Sequence, residues 1–547
     1  MQIRSNNGLF DESKRMAQSS RAMKWTGILL VVILCGFVAR AQDTNTSTTT
    51  ATNQASAPDQ IYAALTNSLA IETNVTENTR ELSLQDCIQL TLQHNIELQI
   101  DRYNPQIALL NLKGAYAPYD PTAAFSGQHN HSESGPVFLG TNIIGGTTSD
   151  QDSFNTSLGG LTPLGTTYRF SGSTADTVQN NGLTRKGNAG AQAGVSVTQP
   201  LLKNFWIDGT RLVIRVDKNR LKYSQLQLKL QLMQTITALE QSYYDLIYFR
   251  ENVVVQQKAA EQTDQLVSEN KKKLEVGAMA ELELAAAEAQ AAQNRAAIIA
   301  ARSLLGTQER VLKLYITDQF TQWADVSVVP TGELLAVKHD FNRQESWRKA
   351  LAQRPEYQQA KLDAERQGIQ LKFDFNQLFP ELDVFGTYGY NGSGNVFSGA
   401  LYDVQQQNLP FYSFGGQISL PLANIGPRNT YKSDKVAMQQ LVLGVKKQER
   451  DILIGIDNDI GTLQADYDSV QATHAQRLYE EQALDAEHKK LENGKSTTYQ
   501  VVLIQRDLTA ARGAEIQALD TYNRHLAQLS LDEGTTLERL NIDFEVK

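Results

Sequence analysis

The chain is poor in the residues that several common protein classes depend on. Only two of its 547 residues are cysteine, Cys35 and Cys87, which excludes a disulfide framework or a multi-cysteine metal site. Acidic residues (60) outnumber Lys and Arg (51), and no basic stripe points to a nucleic-acid partner. Beyond residue 41, no apolar run approaches the about 20 residues that a membrane-spanning helix needs.

Catalytic motifs are also missing. The sequence contains no nucleophile–base pair, zinc-ligand spacing or cofactor fingerprint, and its Gly-Gly pairs lack the lysine of a phosphate-binding loop. His129 and His131 share one face of a predicted strand, but no third ligand lies nearby, which favours a polar pair over a metal site. We therefore expect a protein that is not an enzyme, with no cofactor and no metal.

The N-terminus indicates export. Met23-Lys24 precedes the apolar run 25–38 and then Ala39-Arg40-Ala41, which together predict a signal peptide over 1–41, cleaved before Gln42. Either residues 1–22 form an N-terminal extension of that signal, or Met23 is the true start. Residues 42–80, which begin with a stretch rich in Thr, Asn, Ser and Ala, are predicted to be a disordered leader.

The second half of the chain repeats the first. An apolar stripe of helical period recurs 224 residues later with its tyrosine in place: Leu228, Leu232, Ile236, Leu239, Tyr243 and Leu246 correspond to Ile452, Ile456, Ile460, Leu463, Tyr467 and Val470. Such a duplication indicates a pseudo-symmetric assembly whose unit is half the chain.

The repeats are predicted to span 81–330 and 331–540. Each begins with a helical segment, 84–115 or 347–378. In the first repeat, strands follow at about 121–131, 152–161, 165–174 and 190–199, with long helices over 209–275 and 279–316. In the second, strands at about 381–390 and 411–420 precede long helices over 430–491 and 496–531. A helix of 67 residues is roughly 100 Å long. The first repeat holds about 38 extra residues, which predict an additional hairpin.

The predicted strands are apolar on one side and small and polar on the other. In 411–420, Phe414 and Ile418 alternate with Ser413 and Gln417, for example. This pattern suits an outer-membrane barrel with a wet lumen, while a soluble sandwich with one buried face is the alternative. We favour the barrel, because a few hairpins between such long helices cannot build a sandwich core. The extra hairpin either extends the barrel or projects outside it.

Several segments carry a resemblance to a known family. They are LSLQDCI from Leu82, TQPLL from Thr198, LEVGAMAELEL from Leu274, Pro380, LPL from Leu420, ENGKSTTYQVVL from Glu492 and GTTLE from Gly534. In order and spacing, the sequence resembles the TolC-like outer membrane efflux proteins over about 80–540. The resemblance implies a mixed α/β membrane protein, a homotrimer whose strands form an outer-membrane β-barrel that continues as a periplasmic α-helical barrel. It also implies outer-membrane lipid, a periplasmic membrane-fusion adaptor and an inner-membrane transporter of RND or ABC type as partners.

The resemblance also assigns candidate sites. The helix breaks at Gly277 and Gly494, with Lys495, would be turns at the periplasmic tip, where such tunnels constrict. Family gates place acidic side chains after the second turn; here Gln500 and Leu503 stand there, so an aspartate ring is not carried over. Glu281 and Glu283 follow the first turn instead. Acidic residues also suit any solvated helix start, and this alternative stays open. Pro200 and Pro421 mark the strand-to-helix turns.

The predicted function is a passive exit duct for efflux or type I secretion, in the cell outer membrane. The aspartates of the last long helices, such as Asp451 and Asp466, either line a cation-attracting lumen or form a solvated face. An exported coiled-coil stalk or adhesin is the alternative function, and the alternating strands argue against it. The exported cargo is not encoded in any recognisable motif.

Overall fold

The structure is a computed structural model that describes residues 79–140, 142–180, 185–277 and 280–543. The predicted signal peptide and nearly all of the predicted leader lie outside these residues. The end of the leader was placed wrongly, because residues 79 and 80 belong to the first strand, β1 (Thr79–Leu82). That strand pairs in parallel with Ser327–Pro330, which holds the start of the first repeat against its end.

The first repeat contains short helices, a run of strands and a long helical hairpin. In chain order its elements are β1, α1 (Leu84–His94), α2 (Ile96–Asp101), α3 (Tyr103–Gly114), β2 (Thr122–Ser134), β3 (Val137–Leu139), β4 (Asn142–Ile144), β5 (Thr147–Leu161), β6 (Thr167–Asn180), β7 (Arg185–Pro200), α4 (Gly209–Glu275), α5 (Glu281–Ile316), α6 (Phe320–Trp323) and β8 (Ser327–Pro330).

The second repeat follows the same plan with fewer strands. Its elements are α7 (Arg343–Gln353), α8 (Pro355–Asn376), β9 (Glu381–Gly394), α9 (Phe397–Gln406), β10 (Leu409–Ser419), α10 (Ile425–Glu492), α11 (Thr498–Asp532) and α12 (Thr536–Arg539). The long helices therefore have 67, 36, 68 and 35 residues.

Each repeat opens with a broken helix rather than the continuous one that the sequence predicted. Asn95 is extended and its side chain accepts a hydrogen bond from the Leu98 amide at 2.9 Å, which ends α1 and caps α2. In the second repeat Arg354 is extended because it precedes Pro355, a position that disfavours helical backbone. The two breaks lie 259 residues apart, so they are equivalent positions of the duplication.

Three features escaped the sequence analysis: the β1–β8 pair, the small β3–β4 hairpin and the helix α9. Helix α9 packs on one face of the sheet, where Ala400 and Val404 contact Ala189 and Ala191. Its 10 residues are too few to give a distinctive helical period next to a glycine-rich strand end.

Six strands form one continuous antiparallel sheet in the order β10-β9-β7-β6-β5-β2. The extra hairpin of the first repeat, β5–β6, lies inside this sheet, between β2 and β7. It therefore extends the sheet and is not folded along the helices. The two faces differ as predicted: one row of directly opposed residues reads Tyr412, Tyr388, Val195, Phe170, Leu158 and Ala123.

The duplicated stripe forms the core of the helical part. Tyr243 and Leu246 in α4 are 1% and 0% exposed, and Ile456 and Leu463 in α10 are both 0% exposed. The α4 stripe packs with α1 and the end of α5, while the α10 stripe packs with α7 and α11. Truncating one of these side chains to alanine should cost about 2–5 kcal/mol.

Within the described residues, no helix has both the length and the apolar content to span a membrane.

Candidate gate and strand-to-helix turns

The first helix turn is built on a left-handed glycine. Helix α4 ends at Glu275, and Gly277 follows with φ +71° and donates its amide to the Leu274 carbonyl at 2.9 Å. A residue with a Cβ is strained in this conformation, whereas glycine is not. Residues 278 and 279 lie outside the described part, and α5 starts at Glu281.

The second turn is a Schellman motif. Gly494 has φ +68°, its amide donates to the Leu491 carbonyl at 3.1 Å, and the Lys495 amide donates to the Lys490 carbonyl at 2.8 Å. These two bonds satisfy carbonyls that the end of α10 leaves unpaired. Helix α11 then begins with Thr497 as its cap, accepting from the Gln500 amide. The glycine predicted for each turn thus has a local conformational reason.

A carboxylate bridges the second turn, and the sequence analysis missed it. Glu487 is buried in the last turns of α10 and accepts hydrogen bonds from the Ser496 hydroxyl and, at 3.0 Å, from Lys490 Nζ. The Ser496 bond and then the Lys490 bond hold the pKa of Glu487 below its ordinary value. The side chain therefore ties the end of α10 to the start of α11.

The corresponding position in the first hairpin carries a side chain of different chemistry. Counting from the two turn glycines, Glu487 corresponds to Asn270, which is 0% exposed. Neither polar atom of the Asn270 amide has a hydrogen-bond partner among the residues that the structure describes. A buried amide without partners is destabilising, so the first hairpin is the weaker of the two at this level.

The acidic gate candidates of the first hairpin are not paired in the described residues. Glu281 is exposed and Glu283 is half-buried in the first turn of α5, where the helix dipole favours negative charge. Gln500, which corresponds to Glu283, is exposed in the first turn of α11, and Lys495 is exposed in the preceding turn. These positions are compatible with both interpretations of Glu281 and Glu283, as charges of a gate or as ordinary solvated residues at a helix start.

Apolar contacts join the two hairpins close to these turns. Leu266 of α4 packs with Leu484 of α10 and with Val501 and Leu508 of α11, and each of the four is buried. Ion pairs add to each hairpin: Arg295–Asp264 at 2.6 Å in the first and Arg512–Glu481 at 2.9 Å in the second. The helices next to the turns are thus held together by apolar packing and by ion pairs.

The strand-to-helix turns are locked by asparagines. Pro200 ends β7 opposite Asp383, and the chain then reverses at Asn204, whose φ is +65°. The Asn204 amide donates to the side-chain oxygen of the buried Asn376 at 2.7 Å. Pro421 follows β10 and leads to Asn424, which also has a positive φ, +45°. Asparagine tolerates this conformation better than most residues. The asparagines after each proline could have indicated these turns, but the sequence analysis did not use them.

Buried carboxyl pairs lie where the helices meet. Asp520 of α11 faces Asp245 of α4, and Arg524 Nη1 lies 3.3 Å from Asp245 Oδ1. Burial, and then the neighbouring Asp245 charge, raises the pKa of Asp520 to about 7. Asp459 likewise has its pKa raised to about 6 by burial and by Asp532. One carboxyl of each pair, Asp520 or Asp459, thus has a pKa well above its ordinary value.

The histidines on β2 each pair with an aspartate of the adjacent strand. His129 Nδ1 lies 2.8 Å from Asp152 Oδ1, and His131 Nδ1 lies 2.5 Å from Asp150 Oδ1. Among the described residues, no group of three or more potential ligands is arranged to hold a metal ion.

A family match bears on this arrangement of hairpins and sheet. Residues 347–533, from α7 to the end of α11, match the family model described as outer membrane efflux protein. Over this range the chain is similar to the outer membrane efflux proteins. The match lies within the second repeat, whose elements recur in the first, and it confirms the resemblance found in the sequence. No curated protein matches the chain as a sequence.

Solved outer membrane efflux protein relatives share the fold. The Campylobacter jejuni CmeC outer membrane channel is 14% identical with TM-score 0.60, over 83% of this chain and 86% of that one. For the Vibrio cholerae outer membrane protein VceC the values are 15%, 0.60, 82% and 96%. For the open state of the Neisseria gonorrhoeae MtrE outer membrane channel they are 15%, 0.58, 86% and 95%.

The fold confirms one expectation directly: it is the mixed α/β, TolC-like one, since the matched channels are covered for most of their length. The matched proteins are described as outer membrane channels and the matched family as outer membrane efflux proteins, which agrees with the expected location in the cell outer membrane and with a role that is not enzymatic.

Proposed function

We propose that this protein is the outer-membrane exit duct of an efflux pump and conducts its cargo passively. One observation carries the proposal. A single chain joins a two-faced, six-stranded sheet to helical hairpins roughly 100 Å long. Such an arrangement suits a wall that is lipid-facing at one end and encloses a long aqueous path at the other.

The sheet has the chemistry of a membrane wall. Its apolar face carries Phe125, Phe170 and Phe414, which are 69%, 51% and 83% exposed in the single chain. Its other face carries small polar residues such as Ser126 and Ser419. Alternation between lipid-facing apolar and lumen-facing polar residues is the pattern of outer-membrane strands. Large exposed aromatics in this number need lipid or protein to cover them.

The duct is a homotrimer in this proposal, because one chain supplies only part of a closed wall. A periplasmic adaptor protein and an inner-membrane transporter of RND or ABC type complete the pump and supply its energy. The turns at Gly277 and Gly494 form the periplasmic tip, where the aperture opens or closes. Two of the proteins with this fold, CmeC and MtrE, are outer membrane channels, which supports this assignment.

An exported stalk or adhesin is the weaker alternative. A stalk needs long helices but has no use for a sheet with a lipid-facing side, and the efflux-protein match also speaks against it.

The test is export from living cells. A strain that lacks the gene should accumulate a fluorescent dye substrate and become sensitive to dyes, bile salts or metals, and the intact gene should restore both properties. A Gly494→Pro variant serves as a control in which the protein is present but the second turn cannot form, because proline cannot adopt a positive φ. Unchanged accumulation and sensitivity of the deletion strain to every compound, together with unchanged protein secretion, would contradict the proposal.

The same deletion strain distinguishes a role in efflux from a role in type I secretion. We favour efflux, since the matching family is described by that function. Loss of a secreted protein from the medium with normal dye export would instead assign the duct to secretion.

A further inference from the structure

The sheet ends in two strands that lack a partner on one side. In the described part of the chain, β2 pairs only with β5, and β10 pairs only with β9. These edges are long, with 13 and 11 residues. An open edge of this length presents a row of unpaired amides and carbonyls, which in a membrane must be satisfied by another strand.

The inserted hairpin belongs to the wall itself. All 13 residues of β2 pair with β5, and β6 pairs along 14 residues with β7, so β5 and β6 separate β2 from β7 completely. The alternation continues across them, with Phe154, Leu158 and Phe170 on the apolar face and Asn155, Ser157 and Ser171 on the other. A hairpin that projected from the barrel would not need this register or these two faces.

We propose that β10 of each copy pairs with β2 of the next, so that three copies close an 18-stranded barrel. This inference rests on the trimer of the proposed function and fixes its strand number and its contact between copies. The second copy completes the pore, because no single chain closes the sheet.

The duplication gives the register of that contact. In the chain, β7 of the first repeat pairs with β9 of the second, with Val197 opposite Gly386. The prolines give the offsets between the repeats: 221 residues from β7 to β10 and 259 from β2 to β9. Adding 221 to Val197 and subtracting 259 from Gly386 places Ile418 opposite Gly127 in the contact between copies. On the polar face the same register sets Ser419 opposite Ser126, and Gln417 opposite Gln128. In this register the apolar face of one copy continues into the apolar face of the next, and the polar face into the polar face.

The register also closes geometrically. A row of opposed residues crosses the sheet from Tyr412 to Ala123. The inferred contact takes Ala123 to the level of Leu422 of the next copy, ten positions farther along the chain and just past the end of β10. Three copies then give a stagger of about 30 residues over 18 strands, and a strand tilt of roughly 50°. That tilt is slightly above the 35–45° typical of barrels.

Strand number sets the bore. At this tilt, 18 strands give a backbone diameter of about 40 Å, whereas a twelve-stranded ring without the hairpin would measure about 27 Å. After side chains, the wider ring leaves an aqueous lumen large enough for bulky conjugates or a polypeptide. Barrels of 16–18 strands leave such a channel. Selection by size is therefore left to the helix turns and not to the barrel.

Cross-linking tests the contact. Ser126→Cys with Ser419→Cys should join copies when the purified protein is oxidised, giving covalent dimers and trimers on denaturing gels. A bond within one chain is excluded, because the two strands stand at opposite edges of the sheet, roughly 24 Å apart. The matched control, Ser126→Cys with Ser413→Cys, is six residues out of register and should give none. The native Cys87 is buried and burial raises its pKa to about 12, so it does not interfere.

Counting strands tests the size. Electron cryomicroscopy of the full-chain trimer in lipid should show 18 strands in the membrane ring. A trimer with twelve strands and a projecting hairpin, or equal cross-linking in the control, overturns the inference while leaving an exit duct intact. Loss of export in the deletion strain separates these failures from failure of the proposed function. If the serine variants do not form trimers, Gln128→Cys with Gln417→Cys tests the same register.

Discussion

The buried Asp520–Asp245 pair makes the stability of the helices depend on pH in an unusual direction. The Asp520 side chain is 6% exposed at the contact between α11 and α4, and its Oδ1 atom has no hydrogen-bond partner. Burial raises the pKa of Asp520 to about 7, so the folded protein binds a proton more tightly than the unfolded chain. Stability from this group is then fully present below about pH 4 and is lost progressively as pH rises from there to about 7.

The change Asp520→Asn removes the ionisation and keeps the shape. Moving a carboxyl pKa from near 4 to about 7 corresponds to about 4 kcal/mol. Arg524 and partial access of water reduce the effect, and we expect the variant to be about 2 kcal/mol more stable than the natural protein at pH 8. At pH 3, below the ordinary carboxyl pKa, Asp520 is protonated in both the folded and the unfolded state, and the two proteins should be equally stable.

Guanidinium unfolding followed by far-ultraviolet circular dichroism measures this difference at both pH values. Asp468→Asn is the matched control, because Asp468 lies on an exposed part of α10 and should give no pH-dependent gain. The reasoning is refuted if Asp520→Asn destabilises the protein at pH 8, or if its gain is the same at pH 3.

Three further substitutions test the hairpin turns by thermal unfolding of the purified protein. Gly494→Ala should lower the free energy of unfolding by about 1–2 kcal/mol, because alanine is strained at the positive φ of this position. Its control, Gly513→Ala inside α11, should raise the free energy of unfolding by about 1 kcal/mol, and equal effects of the two changes would contradict the turn assignment. Asn270→Leu should stabilise by about 1–3 kcal/mol, because it removes an amide without partners, and a loss of stability would show that the amide is paired in the assembly. Ser496→Ala should cost about 1 kcal/mol and raise the pKa of Glu487 seen by NMR titration; an unchanged pKa would exclude the bridge.

Features with a strong period or a required glycine could be predicted from the sequence. The stripe from Leu228 to Leu246 and its copy gave the long helices, because apolar spacing over so many turns has no other explanation. Gly277 and Gly494 marked the turns, since only glycine fits a positive φ there without strain. The strand faces followed from simple alternation.

Features that depend on partners distant in sequence could not be predicted. The capping role of Asn95 and the break before Pro355 are local, and closer attention to these residues would have found them. By contrast, the raised pKa of Asp520 depends on Asp245, 275 residues away, and no local pattern shows that contact. The position of the β5–β6 hairpin inside the sheet likewise depends on pairing with β2 and β7, which alternation cannot choose.

The most direct test of the duct is ion conductance of the purified full-length protein across a planar lipid bilayer, with its mass measured in the same preparation. The account predicts a trimer that produces discrete current steps. A protein that stays monomeric and produces no steps at any concentration would contradict it.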